Sequence, residues 1–174
     1  MLDVQIPIVS FVGFSGSGKT TLLTKVILAF KEKGYRVATI KHDAHRFQMD
    51  IEGKDTWKYA QAGSDIVLIN SQAKLAMIQA LESPISFEEV VSHVNNVDII
   101  FVEGYKHESP PKILVVRRET DIELLPQLQD IMAIATTLPI HHTKLPVYDI
   151  DDINGIVRLI ETKILGENNH GSGK

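Results

Sequence analysis

Eight consecutive residues, Gly13-Phe14-Ser15-Gly16-Ser17-Gly18-Lys19-Thr20, fit the pattern G-x-x-x-x-G-K-[ST]. Glycines let successive backbone N–H groups turn inward and approach phosphate oxygens, and a helix starting at the lysine adds the positive end of its dipole. A lysine at this position bridges the β- and γ-phosphates, and the hydroxyl after it holds Mg²⁺. Gly13, Ser15, Gly16, Ser17, Gly18, Lys19, Thr20 and Thr21 are therefore predicted to bind a nucleoside triphosphate, with Thr21 at the α-phosphate and Thr20 on the metal. The pattern counts only between a strand and a helix. Ile6–Val12 is a short apolar, β-branched run, and Leu22, Leu23, Val26, Ile27 and Phe30 recur at helical spacing before Gly34. The terminal Gly171-Ser172-Gly173-Lys174 has neither neighbour and reads as tail.

Glu103 ends a second apolar run, Val97–Val102, and precedes Gly104. A carboxylate at that strand end can orient Mg²⁺ through water or polarise the attacking water, so Glu103 joins Lys19 as a catalytic candidate and Thr20 as a metal candidate. The bland reading of Glu103 is a loop cap or a partner of Lys106, and Asp98 reads as a solvated strand-end residue. The polar stretch Lys41–Thr56 also leaves a strand end, where loops often carry function. His42 and His45 lie in it, and with His107 they make a weak zinc pattern; the rival reading is a solvated loop. His141-His142 read as exposed, and Trp57 and Tyr59 as helix packing.

These residues need a scaffold. Arg36–Lys41, Val97–Val102, Ile113–Val116 and Ile131–Ala135 read as further strands. Helices are predicted from Asp55, as cap, towards Gly63; from the Ser86/Glu89 capping box through Val94; and from Asp152 along the stripe Ile153, Ile156, Val157, Ile160, Ile164 to Gly166. Ile66–Asn70 and Leu75–Leu81 read as an antiparallel hairpin, and Glu119–Gln129 has no regular period. Strands alternating with helices predict a P-loop α/β fold, a doubly wound, mostly parallel sheet with an added hairpin. One domain over 1–166 and a disordered tail over 167–174 are expected from 174 residues. A net charge of −4 with scattered Lys and Arg gives no footprint for nucleic acid or a membrane surface. The chain has no cysteine, and its apolar runs are too short for a signal peptide or membrane span, which points to the cytoplasm.

Taken together, the glycine loop, Lys41-His42 with His45, Asp50, Gly53-Lys54-Asp55-Thr56, Ala62-Gly63 and Val102-Glu103-Gly104-Tyr105-Lys106-His107-Glu108 resemble the molybdopterin-guanine dinucleotide biosynthesis adaptor protein B family, MobB, across essentially the whole chain. The resemblance implies a dimeric GTP-binding adaptor with slow hydrolysis that assists the nucleotidyltransferase joining GMP to molybdopterin, with molybdopterin itself a further candidate ligand. It also implies that His42, His45, Asp50, Lys54, Asp55, Lys106 and His107 line a cofactor or switch side of the cleft. No Asn-Lys-x-Asp is present to read guanine, so GTP rests on the resemblance and ATP stays open; Thr136–Pro139 is the expected base loop. The rival class is a small-molecule kinase in the same cleft. Such kinases place several arginines over the transferring phosphate, and here only Arg36, Arg46, Arg117, Arg118 and Arg158 exist, with no cluster. The apolar hairpin, which a second copy would cover, predicts a homodimer.

Overall fold

The computed structural model describes residues 6–42, 47–108, 110–140 and 144–166. His45, Arg46, His141, His142 and the tail after 166 lie outside these. The chain groups into two compact units, Met1–His42 with Val94–Lys174, and Asp43–His93.

The first unit is built on a six-stranded sheet. Its strands are β1 (Ile8–Val12), β2 (Val37–Lys41), β5 (Ile99–Glu103), β6 (Lys112–Val116), β7 (Ile131–Thr136) and β8 (Val147–Asp149), ordered β2-β5-β1-β6-β7-β8. Every adjacent pair is parallel. Parallel strands buried on both faces need apolar residues at consecutive positions, which Ile99–Val102 and Ile113–Val116 supply.

Two helices, α1 (Lys19–Glu32) and α4 (Ile153–Ile160), pack into one core cluster. Leu22, Leu23, Val26 and Phe30 of α1 meet Val9, Phe11, Ile99 and Phe101 of the sheet, and Phe30 stands edge-on to Phe101 at 5.1 Å between ring centroids. Alternation along the strands sends Val12, Leu114, Val116 and Ile134 into a second cluster, where Leu124 of the 3₁₀ segment Glu119–Gln127 joins them. Asp152 caps α4 by accepting from Gly155 N at 2.9 Å, as predicted, and a π-turn, Glu161–Leu165, carries the helix to Gly166.

Asp98 departs from its expected role. It accepts from Arg36 N at 2.7 Å and from Arg36 Nη2 at 2.9 Å, tying the entry of β2 to that of β5. β8 was not predicted: three residues after Pro146 are too few to show a period.

The second unit contains α2 (Asp55–Gln61), the hairpin β3 (Ile66–Asn70) and β4 (Leu75–Gln79), and α3 (Phe87–Ser92). Ser86 caps α3 through Glu89 N at 3.1 Å. The cap of α2 is Lys54 rather than Asp55, which stands one residue later in the first turn. Tyr59 is 59% exposed, so its expected packing role fails. The hairpin strands form a separate two-stranded sheet, with Leu68 opposite Met77, and do not extend the parallel one.

Candidate functional site

The strand order fixes where chemistry can happen. From β1 the chain moves to β2 on one side, and from β5 it crosses to β6 on the other, so the sheet switches direction about β1. In such sheets ligands bind beyond the carboxyl end of the strand at the switch. Gly13–Gly18 leaves β1 at that end, and the register pairs Phe11 with Glu103 on β5.

The loop needs its glycines. Gly13, Gly16 and Gly18 all have positive φ, 154°, 74° and 98°. A Cβ at Gly13 would stand 2.5 Å from the Val115 carbonyl oxygen and 2.8 Å from Ser17 Oγ, so that position has no room for a side chain. Gly18 opens α1 in the left-handed conformation, and no side chain caps it. The first bond inside the helix is Leu22 N to Gly18 O at 2.9 Å, which leaves the N–H groups of Lys19, Thr20 and Thr21 without an acceptor inside the helix. Ser17 Oγ is buried without a hydrogen-bond partner among the described residues. Helix-start donors with no acid in the first turn suit an anion.

Lys19 lies across this cradle, donating to Phe14 O at 2.7 Å and Gly13 O at 3.2 Å. Burial pushes its ammonium pKa down; Glu103 pulls the other way, while Lys106 and Lys41 reinforce the drop. Thr20 Oγ1 donates to Glu103 Oε2 at 2.8 Å, and Lys41 Nζ stands 3.8 Å from Glu103 Oε1. A hydroxyl and a carboxylate that touch, next to a phosphate cradle, are the donor set Mg²⁺ takes in P-loop proteins, and the oxygen chemistry fits that hard cation. The carboxylate's neighbours are therefore Thr20 and Lys41, not Lys106.

Beyond Glu103 the chain turns through Gly104 (φ 103°) and Tyr105 (φ 50°). His42 donates its N–H to Glu103 O at 2.9 Å, and its ring lies 4.4 Å from that of Tyr105. A Cβ at Gly104 would come within 3.1 Å of His42 Cβ, so glycine lets the turn lie against the end of β2. Lys106 Nζ sits 5.1 Å over the Phe14 ring, a cation–π contact on the glycine loop. His107 is exposed.

Of the predicted residues, Lys19, Thr20 and Glu103 are in mutual reach, and His42 and Lys106 belong to the same strand-end region. Asp50, Lys54 and Asp55 belong to the second unit. There Asp50 Oδ1 accepts from Ile51 N at 2.8 Å and Thr56 Oγ1 at 2.9 Å, its Oδ2 is buried without a partner among the described residues, and Asp55 lies 3.7 Å from Lys58. Sequence reasoning missed Lys41 as Glu103's partner, although both close their strands and are paired in register. It also missed Phe14, whose side chain the loop pattern leaves unspecified.

A family model described as molybdopterin guanine dinucleotide synthesis protein B, MobB, matches residues 8–137. The chain belongs to the MobB family. That match runs from β1 through β7 and so includes the glycine loop, Glu103 and the whole second unit. Its MobB-family relatives include the molybdopterin-guanine dinucleotide biosynthesis adapter protein of Haemophilus influenzae, 37% identical over 163 residues that cover 92% of this chain and 90% of that one. The protein of the same name from Escherichia coli is 32% identical over 162 residues, covering 90% and 92%. The crystal structure of Bacillus subtilis MobB superposes with a TM-score of 0.75 at 27% identity, over 92% of this chain and 99% of that one.

Proposed function

We propose that this MobB-family protein is a cytoplasmic GTP-binding adaptor for the synthesis of molybdopterin guanine dinucleotide, hydrolysing GTP slowly with Mg²⁺ and assisting the nucleotidyltransferase that attaches GMP to molybdopterin. The Thr20–Glu103 hydrogen bond beside an uncapped helix start carries this reading, because it assembles metal donors and phosphate donors at one strand end. Mg²⁺, when bound, neutralises phosphate charge and orients water. Lys19 would exchange its two carbonyl acceptors for phosphate oxygens, Thr20 would turn its hydroxyl lone pair to the metal, and Glu103 would hold the water that attacks. The adapter role is the one named for the relatives, and it suits a nucleotide-ordered loop read by a partner. The guanine dinucleotide in the relatives' names supports choosing GTP over ATP in this reading.

The kinase alternative finds little support in the arginines. Arg36 is engaged by Asp98 at the opposite, amino-terminal edge of the sheet, and Arg118 is held by the buried Asp121. The test is to supply γ-labelled GTP with molybdopterin and the nucleotidyltransferase. The adaptor should raise dinucleotide yield, with label leaving as the pyrophosphate that the nucleotidyltransferase expels, and from the adaptor itself only slowly as inorganic phosphate. Label on a small-molecule acceptor would establish the kinase instead.

A further inference from the structure

Lys112 is a wholly buried cation that the chemistry above does not use. It opens β6 between Pro111 and Ile113, where an apolar residue would serve the sheet equally well. No carboxylate among the described residues lies within ion-pair distance of it. Its Nζ donates instead to two backbone carbonyls, Glu108 O and, at 3.0 Å, Pro110 O. Burial pushes the ammonium pKa down, against the pull of Asp130 and Glu108. A buried ammonium held by carbonyls fixes the backbone that carries them.

That backbone is the return limb of the turn after Glu103. The outgoing limb is set by Gly104 and Tyr105, both at positive φ, and Glu108 N closes on Tyr105 O at 3.3 Å. Between the limbs stands Lys106, its Nζ over the Phe14 ring. Phe14 is also the residue whose carbonyl Lys19 holds at 2.7 Å. Lys106 and Lys19 thus meet at one residue of the glycine loop, on the side where Lys19 would address the terminal phosphates. Lys106 is among the charges that lower the Lys19 pKa, in keeping with that proximity.

We infer that Lys112 is a positioning residue: by clamping the carbonyls of Glu108 and Pro110 it holds Lys106 beside the glycine loop, where Lys106 recognises the third phosphate of the nucleotide. The inference rests on the triphosphate reading of the site. It assigns Lys106 a preference for triphosphate over diphosphate, and it makes Lys112 matter only through Lys106.

Equilibrium binding of GTP and GDP with Mg²⁺, with ATP and ADP in parallel, tests this on the wild-type chain, Lys106→Ala, Lys112→Met and the double variant. Lys112→Met keeps the volume and removes the clamp; it should lower triphosphate affinity about tenfold and leave diphosphate affinity unchanged, the size expected when residues share one network. The double variant should be no weaker than Lys106→Ala alone. Equal losses for tri- and diphosphate, multiplicative losses in the double variant, or no loss at all would each overturn the inference while leaving the nucleotide site standing. A wild-type chain that binds no nucleotide would overturn the site and the inference together. If Lys112→Met does not fold, Lys112→Leu, which likewise removes the donor, takes its place. If neither folds, Lys112 serves the fold alone and the inference is overturned.

Discussion

Gly13 and Glu103 show at the scale of single residues how tightly the site is constrained. Gly13→Ala should cost about 1–3 kcal/mol, as overpacked sites do, because the new methyl would meet a backbone carbonyl in β6 that cannot move without the sheet. Urea denaturation measures this directly, and an unchanged midpoint would mean the loop relaxes freely. Glu103→Gln keeps the shape and can still accept from Thr20, but loses the charge that acts on metal and water. Hydrolysis should then fall at least tenfold while GTP affinity changes far less. Steady-state phosphate release beside equilibrium binding separates the two, and unchanged turnover would leave Glu103 a structural partner of Thr20.

At the scale of elements, the entries of β2 and β5 are joined by Arg36 and Asp98. Hydrogen bonds from the Arg36 side chain and backbone hold the Asp98 carboxyl below the usual carboxylate range. A depressed folded pKa gives stability that is present above the unfolded pKa and lost as pH falls through the folded one. Asp98→Asn should therefore cost about 0.5 kcal/mol at pH 7, modest because the pair is exposed, and the gap to wild type should close as pH drops below the ordinary carboxylate range. Denaturation curves stepped down in pH check this; a gap that persists in acid would assign the effect to packing. Arg36 and Asp98 are 62 positions apart, which is why the pair was invisible in the sequence. Local signals were legible: the β1–loop–α1 unit, the Asp152 cap and the β3–β4 pairing all follow from spacing over a few residues. The helix at Asp55 was legible but its cap was not, since an acid at the first helical position has the same signature as one at the cap. β8 depends on pairing Val147 with Ile134 of β7, a long-range register no local period records. Glu103 could be read because strand ends converge on the glycine loop, whereas the Lys106–Phe14 and His42–Tyr105 contacts arise only from how the chain turns after Gly104.

At the scale of the whole molecule, the hairpin bears on assembly and the glycine loop on ligand binding. The hairpin exposes apolar side chains on both faces: Leu68 (59%), Leu75 (70%) and Met77 on one, Ile69 (57%) and Ile78 on the other. A two-stranded sheet this exposed is marginal alone, and we propose that a second copy of the chain covers it. Ile69→Lys with Met77→Lys places a charge on each face and should turn a dimer into monomer or aggregate. Light scattering that finds wild type monomeric at micromolar concentration would contradict the dimer. Whether the glycine loop binds a nucleoside triphosphate is decided by calorimetric titration of GTP with Mg²⁺ into wild type and Lys19→Ala. Wild type should bind saturably at one site and Lys19→Ala, with an unchanged melting temperature, should not bind; equal binding by both would contradict a triphosphate site at the glycine loop.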